Sequence, residues 1–368
     1  MELTADRLAA ELISLGPSVG LDAVGMADAR PFPEVRAELE RRRAAGLSGG
    51  MQFTYRNPER STDPGHILDG ARSLVVAARR TPAPRLADVS AGRMRIAAYA
   101  RHDHYADLRR GLSQLAGHLQ TGGWETRVVA DDNALVDRAA AVRAGIGWWG
   151  RNANVLLPGR GSWFVLGAVV TNAPLPVSEP IDDGCGTCRR CLDGCPTGAI
   201  VEPGVVDARR CLAWLVQAPG SIPREFRAAL GGRLYGCDDC QEVCPVGRPD
   251  RMADGTDDPA ADVEAVWVLR AKDDDLMDRF GRWYIADRDP TYLRRNALVA
   301  LGNTAAGDDR AVAGLLEAYL ASDNSILRAH AVWAAGRLGR LDLLNGLEAG
   351  SDLLVAEELA AVRDRVGA

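Results

Sequence analysis

The chain has 368 residues, of which 8 are cysteines and 47% are hydrophobic, and its formal net charge is −6. This length predicts two or three domains with substantial hydrophobic cores. The acidic balance argues against a surface that binds nucleic acid everywhere, although it is compatible with a local basic face. The longest apolar runs, residues 74–78 and 163–170, are too short to span a bilayer, so we expect a soluble protein.

Residues 1–175 alternate candidate helices with candidate strands. Segments rich in Val, Ile and Leu predict strands at 21–27, 73–78, 95–99, 125–129 and 163–171. The clearest helix begins near Asp103 and ends before Gly122, with Tyr105 and four leucines on one stripe. We interpret the stripe as core packing, and the alternation predicts a mixed α/β domain.

All eight cysteines lie in residues 176–250, in two runs that are each followed by proline. The first run is C-x2-C-x2-C-x3-C before Pro196, and the second is C-x2-C-x3-C before Pro245. In bacterial two-cluster ferredoxins, the first three cysteines of a run bind one cluster and the fourth binds the other. The spacing therefore predicts two [4Fe–4S] clusters. The first is bound by Cys185, Cys188, Cys191 and Cys244, and the second by Cys195, Cys211, Cys237 and Cys240.

Disulfides and zinc are the alternative uses of these thiols. Disulfide frameworks belong to short secreted chains, whereas this chain opens with MELTADRLAAEL, which lacks the basic and apolar regions of a signal peptide. We therefore expect a cytoplasmic protein. Zinc stays open as the less favoured alternative, because structural zinc sites usually combine separate C-x2-C pairs.

Residues 251–368 follow a linker from Pro249 to Asp262 and contain a weak internal repeat. Residues 293–302 and 327–336 share Leu, Arg, Ala and Gly positions, a period that suggests stacked helix pairs of the HEAT type. Two such units are too few for an independent solenoid. A candidate ridge for binding a polyanion, which a solvated helix face would also explain, consists of Arg294, Arg295, Arg328, Arg337 and Arg340.

Two adjacent clusters can pass electrons from one to the other, so a final electron acceptor is needed. No G-x-G-x-x-G element follows a strand in residues 1–175, so a nicotinamide or flavin Rossmann site is not indicated. The acceptor must be another cofactor or the substrate. The five histidines show no metal-ligand spacing, and we expect His102 and His104 at the surface.

Several motifs together resemble one enzyme family. They are LDAVGMAD at 21–28, DGARSLVV at 69–76, RAGIGWWGRN at 143–152, GSWFVLGAVVTNAPLP at 161–176, the first cysteine run through Cys211, and RLYGCDDCQEVCP at 233–245. In this combination the sequence resembles the epoxyqueuosine reductases, the cobalamin-dependent iron–sulfur enzymes of the last step of queuosine synthesis on tRNA. The HEAT-like pair also fits that family.

The Pro-rich stretch from Ala173 to Pro180 and the linker from Pro249 to Asp262 predict three domains, whose roles the resemblance implies. These are an α/β cobalamin-binding and catalytic domain (1–175), a bacterial-ferredoxin-like module with two [4Fe–4S] clusters (176–250), and a helical C-terminal segment with HEAT-like repeats (251–368). It also implies a base-off cobalamin that an adjacent cluster reduces to a nucleophilic cob(I)alamin. The implied partners are the anticodon stem-loop of tRNA and a soluble low-potential electron donor, with no membrane, and the chain is expected to be a monomer.

Asp131 is the proton donor that the resemblance implies, because opening an epoxide builds negative charge on its oxygen. The family pattern resembles V-D-x-x-P-V-L-E-R, where this chain has Ala134 for Pro and Asp137 for Glu. The family's D-Y-H appears here as His104-Tyr105-Ala106. Alternatively, Asp131 or Asp132 merely caps a helix that starts near Ala134.

The resemblance also suggests which residues contact cobalamin: Arg60, Arg138, Asn152, Asn154, Ser162, Trp163 and Asp238. Core packing is the plainer interpretation of Trp163, as it is of Trp148 and Trp149. The loop after Cys211, CLAWLVQAPGSIP, is expected to approach tRNA and is slightly shorter than is usual in the family.

Two other functions stay open. The chain could reduce a different electrophile with the same cofactors, as the reductive dehalogenases do, although it has no twin-Arg export signal. It could also be a non-catalytic two-cluster electron carrier, which would leave the α/β domain and the helical segment unexplained.

Overall fold

The structure is a computed structural model that describes residues 4–81, 90–247 and 258–366. Its contacts divide the chain into two compact units, each assembled from segments that alternate along the sequence. Unit 1 consists of Met1–Arg85, His102–Arg209 and Asp238–Thr256, and unit 2 of Leu86–Arg101, Arg210–Cys237 and Asp257–Ala368. Most of the predicted linker from Pro249 to Asp262 lies outside the described residues, and the domain boundaries at 175 and 250 stay predictions.

The strands of the described chain, numbered in order, are β1 (Ala23–Asp28), β2 (Ser73–Arg80), β3 (Arg93–Ile96), β4 (Thr126–Ala130), β5 (Trp148–Trp149), β6 (Val155–Leu156), β7 (Phe164–Thr171), β8 (Ile200–Glu202), β9 (Val205–Val206), β10 (Arg233–Tyr235) and β11 (Asp262–Glu264). The α-helices are Ala5–Ser18, Pro33–Ala44, Phe53–Arg56, Pro58–Ser61, Ala98–Arg101, His104–Thr121, Asp137–Arg143, Arg190–Asp193, Leu212–Leu215, Arg224–Leu230, Asp239–Glu242, Ala265–Arg270, Asp273–Phe280, Thr291–Thr304, Arg310–Leu320, Ser325–Arg337 and Leu353–Val366. None of the described helices is long and apolar enough to cross a bilayer.

Unit 1 is built on an antiparallel sheet with the strand order β1-β2-β7-β4. Alternate residues of β2 face opposite sides of the sheet, so Leu74 and Val76 join one core while Val75 and Ala77 join the other. Helices cover both faces, which confirms the predicted α/β architecture. The predicted strand at 95–99 is wrong in extent, because β3 ends at Ile96 and a helix follows from Ala98.

The helix His104–Thr121 confirms the predicted stripe. Asp103 caps it by accepting a hydrogen bond from the Ala106 N–H at 2.9 Å, and the four leucines are fully buried against the sheet. The expectation that His104 lies at the surface is wrong. His104 is only 6% exposed because it precedes Leu108 by one turn and shares the buried face, whereas His102 is exposed.

The central strand β7 determines which loops meet at one edge of the sheet. It pairs antiparallel with β4, with Ala130 opposite Gly167, so the end of β4 lies beside the start of β7. A Cβ atom on Gly167 would lie 2.8 Å from Leu112 and 2.9 Å from Ala130, so glycine permits this close approach. Asp131, after β4, and Ser162, before β7, are therefore brought to the same edge.

Unit 2 combines the small sheet β10-β3-β11 with packed helices. The described residues from Ala265 onward are mainly helical, as predicted, whereas Asp262–Glu264 form the strand β11. The two similar segments fall in the helices Thr291–Thr304 and Ser325–Arg337, which pack on each other where Gly302 meets Trp333 and Ala334. Gly302 allows this contact, since a Cβ atom there would lie 2.8 Å from the Trp333 ring.

Arg295, which the sequence placed on a polyanion-binding ridge, is instead fully buried. Its guanidinium donates hydrogen bonds to the backbone carbonyls of Leu215 at 2.9 Å, Ala218 at 2.7 Å and Gly220 at 2.5 Å. Burial lowers the pKa of Arg295 to about 9. The ridge prediction is wrong for this residue, because its charge fixes the loop after Cys211 from inside the unit.

Most of the other predicted ridge arginines also have partners within unit 2. Arg294 pairs with Asp273 at 2.6 Å, and Arg340 pairs with Asp342 at 2.7 Å. Arg328 donates to the carbonyls of Leu320 and Glu348, whereas Arg337 is exposed. These bonds explain Arg294, Arg328 and Arg340 as residues that stabilise unit 2 internally, whereas the role of Arg337 stays a prediction.

Replacing Arg295 with Ala should destabilise the protein by more than about 3 kcal/mol, because several buried carbonyls would lose a charged donor. The matched control is Arg337→Ala, which removes an exposed arginine of a neighbouring helix and should change stability by less than about 0.5 kcal/mol. The measurement is urea unfolding followed by tryptophan fluorescence. Equal unfolding midpoints for the two variants would contradict the role given to Arg295.

Candidate cluster and catalytic site

Four of the eight cysteines line one small cavity of about 40 Å³ in unit 1: Cys185, Cys188, Cys191 and Cys244. These are the four thiols predicted for the first cluster. All eight cysteines are free thiols in the described residues. Of the other four, Cys195 and Cys240 belong to unit 1, and Cys211 and Cys237 belong to unit 2. The ligand set of each cluster stays a prediction.

Two short helices bring distant cysteines to this cavity. Arg190–Asp193 contains Cys191, Asp239–Glu242 precedes Cys244, and the two helices pack on each other. Gly194 permits the contact, since a Cβ atom there would lie 3.0 Å from the Val243 side chain.

Among the N–H groups that point at cysteine sulfurs are those of Trp148 and Ala199. The Trp148 indole donates to Cys185 Sγ at 3.4 Å, and the Ala199 backbone N–H donates to Cys195 Sγ at 3.2 Å. A Cβ atom on Gly184 would lie 2.7 Å from the Trp148 ring, so glycine lets the indole lie close to the first cysteine run. Trp148 is therefore a buried aromatic residue, as the core-packing interpretation predicted. It also donates a hydrogen bond to a cysteine sulfur.

The charges of the cavity fit an iron–sulfur cluster. Burial, together with smaller contributions from nearby Cys244 and Cys185, raises the pKa of Cys191 to about 11. Burial also raises the pKa of Cys244, with added effects of Cys185 and Cys188. The four thiols are thus close enough to oppose one another's ionisation, a cost that coordination to iron would offset because metal-bound thiols are deprotonated.

Asp131 follows β4 in a left-handed backbone conformation, with φ at 53°. Its carboxylate reaches solvent but accepts no hydrogen bond from the described residues. The surrounding protein nevertheless removes part of its hydration and raises its pKa, Arg109 lowers it, and Asp132 and Asp103 raise it. The result is a carboxylic acid that holds its proton to a higher pH than an ordinary Asp.

The capping alternative for Asp131 is wrong. Asp132, not Asp131, accepts the Ala134 N–H, at 2.8 Å, and this bond closes a local turn. The helix begins at Asp137 rather than near Ala134, and its N-cap, Val136, makes no side-chain cap bond.

Tyr105 and Asp137 share the electrostatic environment of Asp131. Burial raises the pKa of Asp137, which Arg138 lowers and Asp131 raises. Burial also raises the pKa of Tyr105, as do Asp137 and Asp131. Sequence reasoning assigned Tyr105 to packing alone, although its place in the family's D-Y-H pattern was an available signal.

Arginines hold the backbone on both sides of this carboxylate group. Arg109 donates to the Ala130 carbonyl at 2.8 Å, and Arg138 donates to the Ala153 carbonyl at 3.0 Å. Ala153 is also left-handed, with φ at 62°, so in the described part of unit 1 the two non-glycine residues of this kind are Asp131 and Ala153. Such costly conformations concentrate at functional sites.

A chain of polar side chains connects three predicted cofactor contacts. The Asn152 amide donates to Ser162 Oγ at 3.4 Å, Ser162 donates to Gln241 Oε1 at 3.0 Å, and the Gln241 amide donates to Asp238 Oδ1 at 3.2 Å. Asn152, Ser162 and Asp238 are all buried. Sequence reasoning missed Gln241. This residue lies between Cys240 and Cys244, and an argument from cysteine spacing assigns no role to the residues between the cysteines.

The remaining predicted contacts lie in different surroundings. Asn154 is half-buried in the loop after β5, and its carbonyl accepts the Gly150 N–H at 2.8 Å. Arg60 is exposed in the helix Pro58–Ser61, and no side-chain bond in the described residues joins it to the others. Trp163 is 1% exposed and donates its indole N–H to the Gly247 carbonyl at 2.9 Å, the arrangement of a core aromatic. Its contact with a cofactor stays a prediction.

Residues 184–247 match a protein family described as a 4Fe-4S double cluster binding domain. This match confirms the prediction of two [4Fe–4S] clusters and disfavours zinc. It spans both cysteine runs and Cys211, but it does not assign individual ligands.

Full-length similarity leads to one enzyme family. The epoxyqueuosine reductase of Bacillus anthracis is 32% identical over 348 residues, which cover 91% of this chain and 90% of that protein. That of Xanthomonas campestris is 33% identical over 90% of this chain and 96% of that protein.

Solved structures agree with the sequence comparison. The epoxyqueuosine reductase of Streptococcus thermophilus superposes with a TM-score of 0.87 at 29% identity, over 98% of this chain and 99% of that one. An epoxyqueuosine reductase bound to an epoxyqueuosine-modified tRNA-Tyr stem loop has a TM-score of 0.85 at 30% identity, over 97% of this chain and 99% of that one. Because the similarity extends over almost the whole length of both chains, the protein belongs to the epoxyqueuosine reductase family.

Proposed function

We propose that the protein reduces epoxyqueuosine to queuosine at the wobble position of tRNA, with two [4Fe–4S] clusters and cobalamin as cofactors and Asp131 as proton donor. The observation that carries this proposal is the state of Asp131, a solvent-accessible carboxyl with a raised pKa and no hydrogen-bond partner in the described residues. A related structure holds an epoxyqueuosine-modified tRNA stem loop, which supports the same substrate here.

Asp131 supplies the proton that the opened epoxide oxygen needs. A raised pKa keeps the carboxyl protonated closer to neutral pH, where a general acid is most useful. Its left-handed backbone places it at the start of the 131–136 loop, before the helix at Asp137. The catalytic aspartate loop of the Bacillus subtilis relative, 29% identical with a TM-score of 0.83, is seen swung out of its active site. We assign the same mobile role to the 131–136 loop.

The first cluster is held by the cavity cysteines, with Trp148 directing its N–H to Cys185. The second is held by Cys195, Cys211, Cys237 and Cys240, and the Ala199 N–H bonds to Cys195. N–H donors to sulfur stabilise the more negative, reduced state of a cluster and so raise its reduction potential.

The periphery of a corrinoid carries amide groups and a phosphate, which polar and cationic side chains can bind. Asn152, Asn154, Ser162 and Asp238 would supply amide, hydroxyl and carboxylate partners, Arg60 and Arg138 would supply guanidinium groups, and Trp163 is the aromatic residue of the proposed set. When bound, the cobalamin provides a strongly nucleophilic metal centre. The chain Asn152–Ser162–Gln241–Asp238 fixes these side chains before binding, so less conformational entropy is lost.

The remaining features of the proposal concern organisation and partners. Thr291–Thr304 and Ser325–Arg337 belong to two HEAT-like units within a C-terminal segment, residues 251–368, that follows the domains 1–175 and 176–250. The protein works as a cytoplasmic monomer on the tRNA anticodon stem-loop and receives electrons from a soluble low-potential donor.

The deciding experiment is anaerobic reconstitution with iron, sulfide and cobalamin, followed by nucleoside analysis of epoxyqueuosine-containing tRNA. Formation of queuosine supports the proposal. Retained cobalamin without queuosine would indicate another electrophilic substrate, and failure to retain cobalamin would leave a two-cluster electron carrier.

Replacing Asp131 with Asn should lower the turnover number by about 100-fold to 10,000-fold, the usual contribution of a general acid. Iron content and retained cobalamin should not change. The matched control is Asp132→Asn, which can still accept the Ala134 N–H and should stay within a few-fold of the parent. Full activity of Asp131→Asn would refute its role as acid.

Replacing Arg109 with Gln should shift the pH profile. Asp131 acts as an acid only when protonated, so activity is present at low pH and is lost as the pH rises through its pKa. Arg109 lowers that pKa, whereas Asp132 and Asp103 raise it. Removing the Arg109 charge should therefore move the alkaline loss of activity to higher pH, by up to about one unit.

The control for this shift is Arg110→Gln, because Arg110 pairs with Asp107 and does not contribute to the pKa shift of Asp131. The measurement is the turnover number under saturating reductant, over a pH range that brackets the alkaline loss of activity of the parent protein. A shift to lower pH, or an equal shift in both variants, would contradict the assignment.

Replacing Trp148 with Phe should lower the reduction potential of the first cluster by tens of millivolts, since 59 mV corresponds to about a tenfold change for a one-electron couple. The reason is loss of the N–H bond to Cys185. Trp149→Phe is the control, because Trp149 is the neighbouring residue and is 38% exposed. Potentiometry followed by electron paramagnetic resonance measures the change, and an unchanged potential in Trp148→Phe would count against it.

A further inference from the structure

Unit 2 exposes an aromatic ring that the proposed chemistry does not use. Tyr284 is 54% exposed, and its ring lies over that of Trp214 with the ring centroids 6.2 Å apart and the planes 26° apart. Because the exposed tyrosine ring is stacked on a buried tryptophan, the pair presents a flat aromatic surface. Such a surface suits the face of another aromatic group.

The backbone beneath Tyr284 is held by buried aromatic residues. The Tyr235 hydroxyl donates to the Tyr284 carbonyl at 3.0 Å. The adjacent Trp283 stacks between Tyr235 at 4.3 Å and Phe280 at 4.4 Å, and its indole donates to the Ala100 carbonyl at 2.8 Å. Tyr284 is therefore exposed on a segment whose backbone is held in place by these buried contacts.

The other half of the stack is anchored as firmly. Trp214 lies in the helix Leu212–Leu215, directly after Cys211. Arg295 and Asn296 bind carbonyls of the following residues, with the Asn296 amide donating to Val216 at 2.8 Å.

The turn after Tyr284 carries two charged residues whose backbone conformation is energetically unfavourable. Asp287 and Arg288 are consecutive left-handed residues, with φ at 52° and 57°, and both are exposed. Arg288 donates one guanidinium N–H to the Gly281 carbonyl, and a guanidinium has five N–H donors in all. The turn thus carries a cation four residues after Tyr284 in the chain, next to the carboxylate of Asp287.

We propose that the Tyr284–Trp214 stack binds an unpaired base of the RNA anticodon loop, with Arg288 contacting a neighbouring phosphate. This inference rests on the proposed function for its substrate class. Single-stranded RNA loops expose bases that stack on aromatic side chains, and arginines bind the adjacent phosphates. A paired stem offers no free base face, so the stack distinguishes loop from stem.

The test uses the reconstituted full-length protein and a fluorescein-labelled tRNA anticodon stem-loop, with fluorescence anisotropy as the readout. Tyr284→Ala should weaken binding about tenfold or more, whereas Tyr284→Phe, which keeps the ring, should stay within about twofold. Neither variant should change the affinity for a duplex of the stem alone. Arg288→Gln should lower the slope of log Kd against log salt by about one.

Equal stem-loop affinities of Tyr284→Ala and the parent would overturn the inference. It would also be overturned if Tyr284→Ala and Tyr284→Phe lost the same stem-loop affinity, or if Tyr284→Ala lost as much affinity for the duplex as for the stem-loop. If Tyr284→Ala keeps its RNA affinity but binds a soluble electron-donor protein more weakly, a protein partner uses this surface and the inference is overturned.

Queuosine formation by the parent protein is measured in parallel. Queuosine formation with no effect of Tyr284→Ala on RNA binding rejects the stack and keeps the proposed function. Ring-dependent RNA binding without queuosine rejects the proposed function and keeps the stack. A parent protein that binds no stem-loop RNA rejects the stack outright.

Discussion

The antiparallel pairing of β7 with both β2 and β4 is the constraint on which unit 1 depends. This buried strand fixes Ala130 opposite Gly167, and so fixes where the chain leaves the sheet at Asp131. A slip of one residue would turn each side chain of β4 to the other face and move the carboxyl away from the edge reached by Ser162. The position of the candidate acid is thus a consequence of sheet register.

Around that edge, most polar side chains already have partners. Gln241 joins Ser162 to Asp238, and Arg138 holds the loop at Ala153, so their orientations are set by the protein itself. Asp131 differs, because it meets solvent and accepts no bond from the described residues. A carboxylic acid without a hydrogen-bond partner, surrounded by side chains of fixed orientation, is the arrangement expected where a proton must be transferred to a substrate.

The sequence allowed the local features of this site to be predicted, but not the contacts between distant segments. Cysteine spacing indicated the thiols that line the cavity, and apolar periodicity located the main strands and the long helix. Family resemblance singled out Asp131. Neither spacing nor periodicity could reveal Gln241, whose partners are 79 residues away at Ser162 and 3 away at Asp238. The buried Arg295 was mistaken for a surface charge because periodicity does not show which carbonyls a side chain meets.

Neither unit is a continuous stretch of sequence, and this affects how the protein is made. Unit 1 is completed only by Asp238–Thr256, the segment that contains Cys244. During synthesis from the N-terminus, Cys185, Cys188 and Cys191 therefore leave the ribosome well before the fourth thiol of their cavity. The cavity of four thiols is complete only after translation has passed Cys244, so a cluster that needs all four thiols can be bound only after that point.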